Sequence, residues 1–255
     1  MLAGDRGSDD PVARHTGASC KALVQLAGRP MVLRVLEALA ASTAIDGVTL
    51  VGPQAAQVEQ CPELAAHIAV GTLAWLPPQR SPSLSAAVAL EQLPADRPVL
   101  LTTADHALLQ AGWVDAFCQQ ALASGEDAVV GLVRHAAVQE AFPGSKRTAL
   151  RFKDDAYCGC NLFAFLNPVG RRAPAFWQRI EQQRKQPHRL AAALGAGTLM
   201  AYLCGRLTLV GSLERLSRKI GAQLGAVLLD DPQAAVDVDS AADFELVRSI
   251  LAAGD

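Results

Sequence analysis

The sequence predicts a single α/β domain, with a mostly parallel central sheet, helices on its flanks and one β-hairpin excursion. Three observations carry this reading. Short β-rich runs alternate with segments whose apolar residues recur at helical spacing, which is the rhythm of βαβ crossovers. The chain has 255 residues, 51% hydrophobic and 19% charged, enough apolar material for a sizeable core. No linker, internal repeat or low-complexity stretch divides it, so residues 1–255 are read as one domain.

Each element follows from its own residues. An apolar stub, Met1-Leu2-Ala3, runs into a loop that holds Gly4, Gly7 and Gly17 together with Arg6, Arg14 and Lys21. Met31, Val35, Leu36 and Leu39 are spaced as one helix face, predicting a helix over 30–41 with Pro30 in its first turn. Residues 48–51 form a buried strand stopped by Gly52-Pro53. A short helix over 58–66 and a strand within 69–76 follow. Residues 82–93 form a helix with Ser83 as N-cap. The apolar run 98–103 is a strand, with Ala104-Asp105-His106 at its carboxyl end. Then come a helix over 112–124 and a strand over 127–133. Residues 147–152 and 160–165 flank Lys153-Asp154-Asp155, a turn signal that makes them a hairpin. An Arg- and Gln-rich amphipathic helix is expected over 168–185, largely helical structure over 188–223, and short strands at 226–229 and 234–238. Ser240 caps a last helix to Leu251, and Asp243 stands three residues on, where a capping box places its acid.

Composition excludes several classes. A formal net charge of -2 does not suit a general nucleic-acid or membrane-surface binder. No apolar run is long enough to span a bilayer, and the N-terminus lacks the pattern of a secretory leader, so a cytoplasmic location is expected. The six cysteines are scattered and are expected to be reduced. Cys158-Gly159-Cys160 is the one close pair; its spacing is poor for zinc, and a redox role is the minor alternative.

The chemistry sits at strand ends. A loop of small residues frees backbone N–H groups to converge on an anion, and nearby Lys and Arg add charge, as a triphosphate cradle requires. An ordinary surface loop has the same composition. In open α/β sheets ligands bind beyond the carboxyl ends of the strands, and two acidic positions fall there, Asp105 and the pair Asp237/Asp239. Each alone reads equally as a helix cap. Beside a phosphate loop they suggest two carboxylates sharing a divalent cation, since Mg²⁺ needs only one or two when phosphates and water complete its shell. His106 is either an acceptor-side group or a mere neighbour of Asp105. Lys146, Arg147 and Arg151 either meet an anionic acceptor or form a solvated hairpin face.

In order along the chain, these motifs resemble those of the MobA-like NTP transferase family, which includes the molybdenum-cofactor guanylyl- and cytidylyltransferases and is akin to the sugar-phosphate nucleotidyltransferases. The matching residues are Leu2-Ala3-Gly4, Lys21, Gly28-Arg29-Pro30-Met31, Pro82-Ser83-Leu84-Ser85, Thr102 to His106, Cys158 to Asn161, and Val238 to Phe244. The resemblance spans essentially the whole chain and implies a Rossmann-like sheet of the GT-A type. It implies transfer of a nucleoside monophosphate from an NTP to a small phosphorylated acceptor, with Mg²⁺ as cofactor. By resemblance, Leu2, Ala3, Gly4, Arg6, Gly7, Lys21, Ser83 and Ser85 bind the nucleotide, and Lys21 and Arg14 are catalytic. Arg6 competes with Arg14 for the motif arginine. Asp105 and Asp239 are the implied metal ligands, and Gly159 and Asn161 the acceptor side. Neither nucleic acid nor membrane is an expected partner; a homodimer is left open.

The chain departs from the pattern at Asp5, which replaces a glycine, in an insertion over residues 8–13, and in a nearly missing first strand. Asp5, Asp9 and Asp10 would repel a triphosphate unless they face away. Two other classes therefore remain: a GT-A glycosyltransferase using a nucleotide-sugar, and a degenerate, non-catalytic nucleotide-binding protein.

Overall fold

Three residues stitch the sheet together. In the computed structural model, which describes residues 1–4, 10–183 and 195–254, Leu2 bridges in parallel to both Val51 and Thr103. Leu2 N–H donates to the Thr102 carbonyl at 2.8 Å, Ala3 N–H to the Val51 carbonyl at 2.8 Å, and Ala104 N–H to the Leu2 carbonyl at 2.8 Å. The apolar stub is thus a short central strand with partners on both sides. Leu2 and Ala3 are buried, as a strand at the middle of a sheet must be.

On one side of the stub lie β3 (Thr49–Val51) and, parallel to it, β4 (Ala74–Leu76). On the other side lies β5 (Val99–Leu101), which pairs antiparallel with β8 (Ala156–Phe165). β8 pairs antiparallel with β6 (Ala128–Arg134), and β6 pairs parallel with β9 (Leu224–Leu228). The sheet therefore runs β4, β3, residues 1–3, β5, β8, β6, β9, with β8 reversed against its neighbours. This is the mixed, mostly parallel α/β architecture that the sequence predicts.

The hairpin is present but is not an excursion. β7 (Leu150–Arg151) pairs with the start of β8 across a turn at 152–155. β8 is 10 residues long and continues into the heart of the sheet. Its pattern looked divided because Gly159 and Asn161 interrupt the β-rich run. Opposite them the β6–β8 register shifts between Val130 and Leu132, and Asn161 takes a φ of 51°. This bulge lets a polar side chain be re-aimed inside a buried sheet.

Helices cover both faces, and their ends explain their bounds. The end of the insertion, from residue 11, begins α1 (Pro11–Thr16), capped by the Asp10 side chain, which accepts from the N–H groups of Val12 and Ala13 at 2.9 and 3.1 Å. A two-residue turn at Ala27-Gly28, both at positive φ, closes a small hairpin from β1 (Gln25–Leu26) to β2 (Arg29–Pro30). It delivers the chain to α2 (Met31–Ala41) with Pro30 as the N-cap residue. The predicted helix over 58–66 is two helices, α3 (Ala55–Val58) and α4 (Pro62–Ala69), because Pro62 restarts it. In α5 (Pro82–Gln92) the cap is Ser81, not Ser83: Ser81 Oγ accepts from Leu84 N–H at 3.3 Å.

Further on, α6 (Ala111–Ala123) matches its prediction, whereas α7 (His135–Ala141) was not anticipated. α8 (Ala173–Gln183) begins after a 3-10 turn, and α9 (Ala196–Leu203) and α10 (Leu209–Ile220) occupy the second predicted helical region. The parts of those predictions over 184–194 lie outside the described residues. The strand predicted at 234–238 is absent: Pro232–Ala235 forms a 3-10 turn, because Pro232 and the Asp231 cap start a turn there. α11 (Ala241–Gly254) closes the chain. Among the described residues no helix is long and apolar enough to cross a membrane.

Candidate active site

The carboxyl ends of the parallel strands meet at one edge. Gly4 leaves the central stub there, and Asp105 follows β5 after the pairing of Thr103 and Ala104. Val238 N–H donates to the Asp105 carbonyl at 3.0 Å, which draws the 237–239 segment against the same strand end. Lys21 opens a 3-10 turn below it.

Lys21 joins the two predicted metal ligands. Its Nζ donates to Asp105 Oδ2 at 2.6 Å and to Asp239 Oδ1 at 2.5 Å. Burial works against the ammonium, but the two carboxylates outweigh it and push its pKa above the ordinary lysine value. Burial likewise acts against the Asp105 carboxylate, and Lys21 holds its pKa below the ordinary range. Both groups are therefore charged at neutral pH. Asp105 Oδ1 is buried, with the Thr103 hydroxyl beside it outside good hydrogen-bond geometry.

A second ion cluster lies alongside. Arg147 donates through Nη1 to the Asp237 carboxylate and to its carbonyl at 2.8 Å, and through Nη2 to Asp243 Oδ1 at 2.6 Å. Asn161, aimed by the bulge, donates to Asp237 Oδ2 at 3.1 Å. Burial first, then the charges of Asp105 and Asp239, push the Asp237 pKa up to about 6 against the pull of Arg147. Only half of the expected capping box is formed: Ser240 Oγ accepts from Asp243 N–H at 3.2 Å, while Asp243 Oδ2 accepts from Asp239 N–H at 3.2 Å and from the Ser240 hydroxyl at 2.7 Å.

The predicted residues distribute as follows. Lys21, Asp105 and Asp239 are in direct contact, and Asn161 joins them through Asp237. Gly159 is exposed on β8, beside them in sequence. Ser83 and Ser85 sit in the first turn of α5, beyond the end of β4, and both are buried. Ser83 Oγ is 3.0 Å from Ser81 Oγ, and Ser85 Oγ accepts from Gln79 N–H at 3.0 Å. Leu2 has its N–H and carbonyl engaged in the sheet, and Gly4 is exposed where the loop starts. Arg14 is exposed on α1, and none of the ion pairs just described includes it. Arg6 and Gly7 lie outside the described residues.

Four readings are corrected or resolved. Arg147 is not on a solvated hairpin face; its side chain is 6% exposed and locked between two aspartates. His106 is 1% exposed and stacks on Trp113 with ring centroids 6.3 Å apart. Burial lowers its pKa to about 4, so it is a neutral core neighbour of Asp105. Asp10 faces its own helix cap and not the loop. Cys158 and Cys160 are buried on one face of β8, unbridged, with burial pushing the Cys160 thiol up to about 12.

Sequence reasoning underused Asp237, Arg147 and Asp243. The signal was present in Asp237-Val238-Asp239, where alternate residues of an extended segment face one way. Nothing local marked Arg147 as their partner, 90 residues away.

A mixed α/β sheet carrying a lysine between two carboxylates at its carboxyl edge defines a nucleotidyltransferase type of domain. The model of the MobA-like NTP transferase domain matches residues 1–235, and the chain belongs to that family. No curated protein matches the sequence. Among solved structures, a hypothetical transferase from Thermus thermophilus is 30% identical, over 95% of this chain and 98% of that one, with a TM-score of 0.77. A CMP:2-keto-3-deoxy-manno-octonic acid synthetase complexed with CTP shares the fold at 13% identity, over 100% and 97% of the two chains, with a TM-score of 0.58. A 4-diphosphocytidyl-2C-methyl-D-erythritol synthase from Anaerococcus prevotii shares it at 11% identity, over 98% and 94%, also with a TM-score of 0.58.

Proposed function

We propose that the protein transfers a nucleoside monophosphate from a nucleoside triphosphate to a small phosphorylated acceptor, releasing pyrophosphate, with Mg²⁺ as cofactor. One observation carries the reading: Lys21 sits between Asp105 and Asp239 at the strand ends, beside the glycine-bearing loop. The residues fit a divalent cation. Two carboxylates converge on one positive charge, and Asp105 Oδ1 is buried with the Thr103 hydroxyl near it, outside good hydrogen-bond geometry. Among the described residues no group of three or more His, Cys, Asp or Glu is arranged to hold a metal unaided. A hard cation completed by substrate phosphates is the case that needs only two carboxylates.

In this reading Asp105 and Asp239 hold the Mg²⁺, which when bound supplies Lewis-acid neutralisation of the phosphate oxygens. Lys21, released from the carboxylates, places its ammonium on the triphosphate as a point charge. Gly4 meets the phosphates where the loop starts, and Arg14 adds charge from α1; the expected nucleotide contacts Arg6 and Gly7 lie outside the described residues. Ser83 and Ser85 order the start of α5 near the nucleotide. Gly159 and Asn161 face the acceptor. An acceptor phosphate oxygen bonds to the α-phosphorus as the bond to the bridging oxygen breaks, and that electron pair leaves with pyrophosphate. No protein nucleophile is needed, so positioning and charge do the catalysis.

The test is pyrophosphate release from ATP, CTP, GTP and UTP with Mg²⁺ and a panel of small phosphorylated acceptors. CTP comes first because one structural neighbour was solved with it. The expected result is release that needs one NTP, the metal and an acceptor together. Turnover of a nucleotide-sugar instead would make the protein a glycosyltransferase, and binding without any turnover would make it a non-catalytic nucleotide binder.

A further inference from the structure

Arg147 belongs to no helix or strand; it lies in the segment between α7 and β7, yet only 6% of its side chain meets solvent. The guanidinium grips both ends of the loop that carries Asp239. On the near side it holds the carbonyl and carboxylate of Asp237. On the far side it holds Asp243 Oδ1 at 2.6 Å. The other Asp243 oxygen accepts from Asp239 N–H at 3.2 Å and from Ser240 Oγ at 2.7 Å. A continuous hydrogen-bonded path therefore runs from Arg147 through Asp243 to the backbone of Asp239.

Asp239 needs such support. Its side chain is 60% exposed, and Lys21 is its partner across the site. In the proposed reaction Lys21 leaves it for the triphosphate. What then keeps its carboxylate opposite Asp105 is the backbone of residues 237–240 and the first turn of α11. That loop and the first turn of α11 carry three aspartates that repel one another, and a planar fork with two donor faces can neutralise two of them at fixed geometry.

We propose that Arg147 is the positioning residue that fixes Asp239 opposite Asp105, and so sets the affinity of that pair for a divalent cation. The inference rests on the metal-and-triphosphate reading above, and it does not need Arg147 to touch substrate. Outer partners that orient a metal ligand typically change metal affinity by about 10–100-fold when removed.

The experiment is a Mn²⁺ titration of the full chain, followed by electron paramagnetic resonance, with Mn²⁺ alone and with Mn²⁺ plus CTP. Wild type, Arg147→Met and Arg147→Lys are compared, and each is melted in parallel. Both variants should bind Mn²⁺ more weakly, by about 10–100-fold for Met and less for Lys, which keeps the charge but loses the fork. Saturating Mn²⁺ should restore turnover in the variants, because the substitutions raise the metal requirement more than they lower the maximal rate. If Arg147→Met does not fold, Arg147→Lys decides. Wild-type Mn²⁺ affinity in a folded variant overturns the inference. No Mn²⁺ uptake by the wild type in either condition overturns instead the reading on which it rests.

Discussion

Lys21 shows how one side chain can be legible in sequence while its surroundings are not. Its place among small residues marked it as a phosphate ligand, and the structure adds the two carboxylates it spans. Lys21→Ala should lower kcat/KM by about 100-fold or more, the scale of losing a preorganised charge at the reacting phosphate. Steady-state pyrophosphate release measures it, and full activity would remove Lys21 from the site. His106 carries a pH prediction. Its pKa is about 4 when folded and 6.5 when free, so the unfolded chain binds more protons between those values. Stability is then lost as pH falls through that window, by on the order of 3 kcal/mol in full. His106→Leu should flatten the loss between pH 6.5 and 4 in urea melts at stepped pH. An unchanged slope would show that the imidazole charges freely in the fold. Arg147 and Asp237 were each visible in the sequence, but their pairing was not, because residues 90 apart leave no local pattern.

Among the elements, the central stub was the hardest to read. Three residues cannot show a period, so Met1-Leu2-Ala3 looked like a missing strand; hydrogen bonds to both flanking segments make it the middle of the sheet. Helices α2, α5 and α6 were legible because apolar spacing persists over several turns. Ser81 took the cap expected of Ser83 because Pro82 suits the first helical position, which puts the cap one residue before it. The 234–238 strand failed for a related reason: an apolar run begun by an Asp-Pro turn cannot join a ladder without donors in register. Gly52 guards the stub. It sits at φ 84°, and a Cβ there would lie 2.7 Å from the Ala3 carbonyl oxygen. Gly52→Ala should destabilise the protein by about 1–3 kcal/mol, through backbone strain and displacement of the strand that leads to Gly4. Chemical denaturation measures this, and a wild-type midpoint would show that the junction gives way freely.

For the whole molecule, strand–helix alternation was enough to identify the architecture, because each crossover needs its own amphipathic helix. The reversed β8 escaped this logic, since a hairpin partner and a central strand read alike in sequence. At this scale ligand linkage is the clean probe. An NTP with Mg²⁺ at 100 times its Kd should add about 2.7 kcal/mol of stability. In a chain of this length that raises the melting temperature by roughly 2–4 °C for each kcal/mol. The nucleotide that produces the shift only with metal identifies the base. Equal shifts with and without metal would separate triphosphate binding from the carboxylate pair.

The charges clustered at the strand ends bear on which species can enter. Asp105, Asp237, Asp239 and Asp243 face Lys21 and Arg147, so the cluster is an anion before any substrate comes. A bare polyphosphate meets repulsion at this threshold, while one already wearing a cation brings the charge the cluster lacks. Under the proposed function, free nucleotide in excess of metal should be a poor competitor of its metal complex, as inhibition by excess nucleotide at fixed Mg²⁺ would measure.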